Sequence, residues 1–475
     1  MNTKKVAAFA LGPIGAAGIS LITLPIVAWL FSPQDIGRLT MLNVTISFSI
    51  LLFSLGLDQA YVREYHEANS KPSLLKAAFI PGFSLLLVSL LALTLSPYSP
   101  SMLLFGKESP FISFLLYGSI ILAFSSRFLS LILRMQSRGL AFSMSQILPK
   151  FLFILIILSY VFYNVDAVFD KLITANFLSV TAVFIIFSWN TRRDWLPALT
   201  SKVNRTEQLK MMQYSLPLIG SGLAFWGLTA TDKVFLRSLS TFEELGIYSL
   251  SVSFAGAALV FQAVFSTVWA PIVYRWASEG VDPQRIKGVI DYVTLAVIVI
   301  WSLAGVFSWL VIYILPVEYQ SVQYILLAAM GYPLLYTLSE ASSVGIGIKR
   351  RTIFSLLAAI FSLIINVILN WFLIPNYGAA GAAVGSAIAF FIFFTIRTEA
   401  SSIIWKSFER LRMYSFVLFL VILSIIANTV NVGSVLIPIY IATLFIGALF
   451  FKVQSKKTFR SILIYVRDKA NTADS

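Results

Sequence analysis

Five ionisable residues stand inside stretches of the chain that are otherwise apolar. Three are basic (Arg127, Lys150 and Lys233) and two are acidic (Asp232 and Glu340). An ionisable side chain at membrane depth costs about 2.5–3.5 kcal/mol on insertion scales, so each of these residues is a candidate for function. Basic residues there are suited to bind an anion such as a phosphate or diphosphate. A carboxylate in a water-filled cavity is suited to bind a proton or sodium ion, and Glu340, with no basic residue within one helical turn, is favoured for that role.

The basic residues are spaced so that they form a ladder through the membrane. Arg134 and Arg138 follow Arg127 by seven and eleven residues, which places all three on one helical stripe. Arg127 lies roughly 10 Å deeper than Arg134, at 1.5 Å per residue. We expect Lys150 near the middle of the membrane and Lys233 in its outer half. The sequence therefore predicts a basic ladder that lines a cavity between two lobes.

Some of these residues also have a purely structural interpretation, and Lys150 is the hardest to explain in that way. Arg127 can extend its guanidinium to the inner headgroups, and Lys233 can reach the outer ones or pair with its neighbour Asp232. Asp58, at the inner boundary, is expected to pair with Arg63. These interpretations stay open beside the functional ones.

The elements that must position these residues are long apolar segments. The chain is 58% hydrophobic, with a mean hydropathy of +0.86. Because hydrocarbon offers the backbone no hydrogen-bond partner, segments of this length that cross it must be helices. We predict an all-α integral membrane protein with about 14 transmembrane helices, over residues 6–31, 39–60, 74–95, 111–133, 141–163, 172–190, 211–236, 247–274, 288–314, 322–346, 352–373, 378–396, 414–430 and 433–451.

The basic residues are distributed unequally across the predicted membrane. With the N-terminus inside, 28 of the 35 Lys and Arg residues lie on the cytoplasmic side, and the outside connections carry Arg38, Lys107, Lys171 and Arg237. Cytoplasmic loops retain Lys and Arg during insertion, so both termini are predicted to be cytoplasmic. This asymmetry and the attraction of anionic lipids account for the net charge of +14 without a nucleic-acid partner. The basic tail from residue 452 suits either an amphipathic helix on the inner leaflet or a solvated segment.

A weak internal repeat divides the chain. Pro13 opens an apolar run that closes at residues 31–37, and Pro217 opens a similar run that closes at residues 239–246. The two copies are offset by 204 residues at the prolines and by 209 residues at the closing glycines. An even number of helices separates them, which predicts parallel repeats related by an axis along the membrane normal.

This repeat predicts three parts of the chain. Residues 1–200 form a first six-helix lobe with a cytoplasmic linker, and residues 201–400 form a second six-helix lobe. Residues 401–475 add two helices and the basic tail.

Several kinds of chemistry have no motif here. We find no Gly-x-x-x-x-Gly-Lys-Ser/Thr loop, no His-Glu-x-x-His and no Gly-x-Ser-x-Gly. The chain has no cysteine, and its single histidine, His66, lies in a charged loop where we expect it to be solvated. We therefore predict no catalytic residue, no metal and no cofactor, and favour transport or lipid translocation over an enzyme.

Four groups of residues resemble one family of membrane transporters. The first group is N-terminal, the second and third lie around the seventh and eighth predicted helices, and the fourth joins the eleventh and twelfth. They are Leu24-Pro25 with residues 31–37, 56–60 and 63–65; residues 231–236 with 246–248; residues 269–271 with Tyr274; and Asn366 and Asn370 with residues 373–383. On these residues the chain resembles the polysaccharide-transporter branch of the multidrug/oligosaccharidyl-lipid/polysaccharide exporter (MOP) superfamily, close to the O-antigen flippases.

The resemblance implies two lobes in a V-shaped arrangement, as in MATE transporters, around a cationic cavity. It implies that an undecaprenyl-diphosphate-linked oligosaccharide, such as an O-antigen repeat of lipopolysaccharide, is flipped from the cytoplasmic to the outer leaflet of a bacterial inner membrane by alternating access. The implied partners are this lipid-linked substrate, membrane lipids and the glycan polymerase machinery. Position 233 is Lys where Arg is expected as often, and the charge is kept.

Two alternatives remain. An ion-coupled multidrug or cation antiporter of the same fold would depend on carboxylates rather than on basic residues. A membrane glycan polymerase or ligase would be expected to carry a large outside loop, and the longest here covers only residues 96–110.

Overall fold

The computed structural model describes residues 3–280, 283–430 and 434–451, and every regular element within these ranges is a helix. The predicted all-α fold class is confirmed. The basic tail lies outside the described residues.

In the described part of the chain, ten helices precede the turn at residue 240. They are α1 (Thr3–Leu30), α2 (Pro33–Phe53), α3 (Leu57–Glu64), α4 (Lys71–Leu95), α5 (Pro100–Phe105), α6 (Pro110–Met135), α7 (Gly139–Phe162), α8 (Phe169–Asn190), α9 (Arg192–Thr200) and α10 (Arg205–Leu239).

Ten more helices follow that turn within the described residues. They are α11 (Phe242–Ala255), α12 (Ala257–Ser278), α13 (Pro283–Phe307), α14 (Val311–Ile314), α15 (Val322–Ala329), α16 (Gly331–Ser342), α17 (Val344–Ile348), α18 (Ile353–Ile404), α19 (Leu411–Val430) and α20 (Ile437–Phe450). Short 3₁₀ turns cover Ser308–Leu310, Val317–Tyr319 and Ser434–Leu436.

Within the described ranges, eleven helical segments are long and apolar enough to cross a membrane. They are Leu11–Leu30, Pro33–Phe53, Lys71–Leu95, Pro110–Met135, Gly139–Phe162, Phe169–Asn190, Ala257–Ser278, Gln284–Ile314, Val317–Ser342, Ile353–Ile404 and Leu411–Val430. The chain is a multi-span membrane protein. The segment Ile353–Ile404 contains two predicted spans, and Gly378 breaks it between them. The count of fourteen stays a prediction.

Ser-Pro pairs begin several helices at the predicted outer turns. The hydroxyl of Ser32 accepts the Asp35 N–H at 3.3 Å, and Ser109 accepts the Ile112 N–H in the same way. The following proline has no N–H to leave unsatisfied, so the pair is well suited to start a helix. The predicted span 111–133 starts one residue after Pro110, whereas the predicted span 39–60 starts six residues after Pro33, so the Ser32-Pro33 signal places that helix start more accurately than hydropathy does.

The described chain forms two compact units. The first comprises Met1–Ser253 with Asn370–Ala379. In it α1 packs against α7, α6 packs against α8, and α2 contacts both α6 and α10. Its core includes a group of phenylalanine rings on α4 and α6 with centroids 4.8–6.2 Å apart, namely Phe79, Phe83, Phe124 and Phe128.

The second unit comprises Phe254–Leu369 and Ala380–Ser475. In it α13 packs against α16, α19 and α20, and α12 packs against α16. The fully buried Trp301 of α13 donates its indole N–H to the carbonyl of Leu327 at 2.9 Å. The predicted lobes of residues 1–200 and 201–400 remain a prediction.

The closing glycines of the two predicted repeats contact each other inside the first unit. A Cβ atom at Gly37 would overlap the carbonyl oxygen of Phe242, and a Cβ atom at Gly246 would overlap the carbonyl oxygen of Pro33. The contact is reciprocal, because each glycine faces the backbone of the turn that begins the other helix. We refer to this contact as the glycine crossing. It requires glycine at both positions.

Basic residues predicted on the outside gather at this same end of the first unit. The guanidinium groups of Arg38 and Arg237 lie 5.0 and 4.5 Å from the Phe242 ring centroid. Lys107 lies 5.6 Å from the Phe169 ring. Three of the four residues predicted to face the outside thus lie around two neighbouring aromatic rings.

Candidate functional site

Lys150 lies on α7, directly after a proline inside that helix. Its ammonium nitrogen donates to the Ser20 hydroxyl at 2.5 Å and to the Ala16 carbonyl at 3.2 Å, both on α1. The packing of α1 against α7 holds the lysine in this position. An ammonium carries three N–H donors, so one of them stays available.

A polar cavity of about 410 Å³ surrounds Lys150 within the first unit. We refer to it as the Lys150 cavity. Eight of its lining residues are hydroxyl- or amide-bearing: Ser20, Thr23, Thr40, Asn43, Asn176, Ser179, Ser249 and Ser253. Lys150 is the one ionisable residue in the described lining. So many polar groups between membrane helices are unusual for a merely structural interface.

Two polar atoms of the lining have unused hydrogen-bonding capacity. The Oδ1 atom of Asn176 and the hydroxyl of Ser249 are buried, and neither has a partner among the described residues. A buried polar group without a partner costs about 1–3 kcal/mol. With the spare Lys150 donor, these atoms make the cavity suited to an anionic ligand that also carries hydroxyl or ester oxygens.

Arg127 lies in a different cavity of the same unit. It forms a salt bridge to Asp58 at 2.8 Å, and both residues line a space of about 800 Å³. The predicted pairing of Asp58 with Arg63 is therefore wrong. Arg63 instead lies 4.2 Å from the Tyr214 ring and 3.6 Å from the carboxylate of Glu64. The sequence missed the Arg127 partner because the two residues are 69 positions apart and meet only when α3 packs on α6.

Asp232 and Lys233 on α10 have different environments. Asp232 is almost fully buried and accepts hydrogen bonds from Tyr248 at 2.5 Å and Asn370 at 2.8 Å. Lys233 is partly buried and makes no ion pair or hydrogen bond within the described ranges. Among the lining residues described, it belongs to neither the Lys150 cavity nor the Arg127 cavity. The structure thus places the three basic residues at separate positions in the first unit, and their joint action as a ladder stays a prediction.

Glu340 lies on α16 in the second unit and has neighbours that the sequence did not reveal. It accepts a hydrogen bond from the Ser266 hydroxyl of α12 and another from Tyr336. Arg397 of α18 is close enough to interact with it electrostatically. Arg397 also donates to the Ser339 hydroxyl at 3.0 Å.

Arg397 is a residue that sequence reasoning missed. The sequence predicts it in a cytoplasmic connection, because the predicted span ends at residue 396. The helix continues to Ile404, and the polar residues Thr398 and Ser401 beyond Arg397 are themselves buried. Uninterrupted helix-forming sequence up to Trp405 was the available signal.

Within the described part of the chain, no group of three or more His, Cys, Asp or Glu residues is placed to hold a metal ion. The arrangement instead offers polar cavities between apolar helices, one of them with a lysine that has a spare donor. These are the features of a membrane transport protein, since an intramembrane charge in a cavity marks a substrate or ion pathway.

The profile of the family described as "Polysaccharide biosynthesis protein" matches residues 3–276. The chain belongs to this family, and the resemblance to polysaccharide transporters predicted from its motifs is confirmed.

The chain is also similar to one relative in sequence and to two solved structures in fold. The chain is 23% identical over 220 residues to "Probable low-salt glycan biosynthesis flippase Agl15" of Haloferax volcanii, across 43% of this chain and 46% of that protein. The match thus spans less than half the length of that relative. The fold is similar to that of the lipid II flippase MurJ in an inward closed conformation, with a TM-score of 0.65 and 14% identity over 97% of this chain and all of that one. It is also similar to an inward-facing MATE multidrug resistance transporter of the MOP superfamily, with a TM-score of 0.55 and 14% identity over 85% of this chain and all of that one.

Proposed function

We propose that this protein is a flippase for a lipid-linked glycan, and specifically that it moves an undecaprenyl-diphosphate-linked oligosaccharide from the cytoplasmic to the outer leaflet of a bacterial inner membrane. Family membership and the flippases among its relatives support the general function. The observation that carries the proposal is the Lys150 cavity, which holds a cation with a spare N–H donor among hydroxyl and amide groups. Alternating access of the two predicted lobes is part of the same proposal.

The chemistry of the Lys150 cavity suits the diphosphate. An anion that crosses the membrane must keep hydrogen-bond donors around its oxygens, because bare hydrocarbon replaces none of its hydration. Lys150 supplies a charge-assisted hydrogen bond, and the surrounding hydroxyl groups supply neutral ones. We propose Arg127 and Lys233 as further contacts of the diphosphate along its path.

Asp232 and Glu340 are proposed as the residues that couple transport to an ion gradient. Asp232 is held by two hydrogen bonds inside the first unit, and Glu340 faces an arginine inside the second. Glu340 lies in a helical segment that is long and apolar enough to cross a membrane, and Asp232 lies in the predicted span 211–236. An ionisable group within a span is a candidate for function by default.

The test is complementation of cells from which the gene has been deleted. Surface polysaccharide is measured together with the sidedness of lipid-linked oligosaccharide. Wild-type protein is expected to restore the glycan. Lys150→Ala is expected to lower it about tenfold or more, since a hydrogen bond to a charged group contributes about 1.5–3 kcal/mol. Lys150→Arg keeps the charge and should retain part of the activity. The exposed linker lysine, in Lys202→Ala, is the matched control.

Two results would contradict the proposal. Normal surface glycan in deleted cells, with raised sensitivity to cationic drugs, would favour the antiporter. Normal glycan with Lys150→Ala would remove Lys150 from the substrate path.

A further inference from the structure

A second group of polar and aromatic side chains lies inside the second unit, apart from the Lys150 cavity. It comprises Ser266 and Trp269 on α12, Tyr336 and Glu340 on α16, and Arg397 on α18. We refer to it as the Glu340 cluster. The packing of α12 against α16 brings Ser266, Tyr336 and Glu340 together, since Ser266 and Tyr336 both hydrogen-bond to Glu340. Trp269 lies one helical turn beyond Ser266 on the same side of α12.

The cluster contains two donors without acceptors. The indole N–H of Trp269 is buried, with only 5% of the residue exposed, and has no partner in the described part of the chain. The Nε atom of Arg397 is also buried and has no partner among the described residues. Each such donor destabilises the protein unless a ligand or another conformation supplies an acceptor. Two buried donors with unused hydrogen-bonding capacity, one of them on an arginine that interacts with Glu340, are the features of a binding site.

Arg397 and Glu340 are not joined as an ordinary ion pair. No salt bridge within 4.0 Å links them among the described residues, although they interact electrostatically. The arginine lies instead over the Phe393 ring, 5.1 Å from its centroid. Opposite charges held near each other without direct contact leave room for a group that bonds to both.

Aromatic faces extend the cluster along α12. The rings of Phe265 and Trp269 are stacked at 5.7 Å with an angle of 24°, and Trp276 meets Trp269 edge-on at 6.0 Å. Tyr274, which is 49% exposed and interacts electrostatically with Arg397, connects the cluster with the surface of this unit. Aromatic faces of this kind pack against the C–H faces of a ring while their polar edges form hydrogen bonds.

We propose that the Glu340 cluster is a glycan-binding subsite that holds a sugar ring of the transported oligosaccharide. This inference rests on the proposed function and deepens it. A pyranose has hydroxyl groups that both donate and accept, so it bonds to the carboxylate, the guanidinium and the indole at once. The carboxylate would repel an anion, and the arginine would repel a metal ion. A neutral polyol uses both charges.

The test measures binding of a free, uncharged oligosaccharide to the purified full-length protein in detergent. The probe is the repeat unit released by mild acid from the surface polysaccharide of cells that express the chain, without lipid or phosphate, and calorimetry reports Kd.

Trp269→Phe keeps the ring and removes the N–H donor, Glu340→Gln removes the charge, and Arg397→Lys keeps the charge and removes Nε. Each is expected to weaken binding about tenfold, as loss of one charge-assisted or buried hydrogen bond predicts.

The matched control is Trp309→Phe, because Trp309 is partly exposed and packs on Tyr313 away from the cluster. It is expected to leave Kd unchanged. Elution as a single species in size-exclusion chromatography shows which variants are folded, and any one folded variant suffices for the test.

The outcomes separate this inference from the proposed function. The subsite proposal is overturned if wild-type protein restores surface glycan in cells but does not bind the free oligosaccharide. It is also overturned if the folded variants bind the oligosaccharide as tightly as wild type. In both cases the flippase proposal stands. If the variants weaken binding but deleted cells still make normal surface glycan, the subsite stands and the flippase proposal fails.

Discussion

At the scale of single residues, the basic side chains of the first unit have different partners and therefore different roles to test. Lys150 bonds only to neutral oxygen atoms, whereas Arg127 faces a carboxylate. A cation with only neutral partners attracts an anionic ligand more strongly than a cation whose charge is compensated by a nearby carboxylate. Lys150 is thus the stronger candidate for direct contact with an anion.

Arg127 can be tested for structural and transport roles separately. Removing one partner of a buried ion pair leaves the other charge uncompensated. Since 34% of the Arg127 side chain is exposed, we expect Arg127→Met to destabilise the protein by about 1–2 kcal/mol, between the values for an exposed and for a buried pair. The double variant with Asp58→Asn should regain most of that loss. The measurement is the Tm of the detergent-solubilised protein.

Arg63→Met is the matched control, because Arg63 is more exposed and is expected to change Tm little. If Asp58→Asn does not restore stability, the salt bridge is not what holds Arg127. If the double variant is stable and still fails to restore surface glycan, Arg127 contributes to transport beyond its ion pair.

Sequence reasoning at this scale identified the charges but not their partners. Glu340 and Lys150 could be selected because each interrupts a long apolar run. The neighbours of Glu340, namely Ser266 and Arg397, are 74 and 57 positions away, and the sequence carries no signal for which helices pack together. Candidate residues were therefore predictable, and the site around each was not.

At the scale of the helices, the glycine crossing is the contact most sensitive to added volume. Gly37→Ala or Gly246→Ala would drive a methyl group into a backbone carbonyl, which a rotamer change cannot relieve. Overpacking of this kind costs about 1–3 kcal/mol, so we expect a lower Tm for both variants. Gly220→Ala is the matched control, because a Cβ atom there meets nothing within 4 Å. Equal Tm values for all three variants would show that the crossing opens readily.

Gly378 permits the break inside α18. Its φ of 51° and ψ of −128° are rarely adopted by residues with a side chain, and a Cβ atom would overlap the carboxylate of Glu244. That carboxylate accepts the Ala379 N–H at 2.7 Å and so caps the helix that follows the break.

We predict that Gly378→Ala lowers Tm more than Gly280→Ala does. Gly280 also has a positive φ, of 67°, but nothing lies within 4 Å of its added Cβ atom. The difference between the two variants therefore measures the clash with Glu244 and the less favourable ψ. If Gly280→Ala were as destabilising as Gly378→Ala, the cap at Ala379 would not be the reason for the glycine.

Most helices could be predicted from the sequence, because the residues near a helix end determine where that helix starts or stops. Ser-Pro pairs and glycines mark the turns, and each predicted segment falls on one or more helices of the structure. The division of the long segment around residue 250 into α11 and α12 was not predicted, because Gly256 lies within an apolar run that gives no boundary signal.

At the scale of the whole molecule, the repeat stays a prediction, and the closing glycines of its two copies meet at one contact. They face each other reciprocally, as two copies related by a two-fold axis would. The basic residues predicted to lie outside gather at the same end of the first unit. Orientation in the membrane remains to be measured, since it depends on how charges are retained during insertion.

The absence of cysteine from the chain makes that measurement direct. We predict that Glu108→Cys, in the outer connection, reacts with a membrane-impermeant maleimide in spheroplasts. Thr206→Cys, in the linker, should react only after the membrane is permeabilised. Both positions are exposed, and neither substitution alters a Lys or Arg, the residues that set orientation. The unsubstituted chain is the control and should not be labelled. The reverse pattern would place the 28 basic residues outside, against the positive-inside rule, and would require transport of the lipid-linked glycan to start from the opposite leaflet.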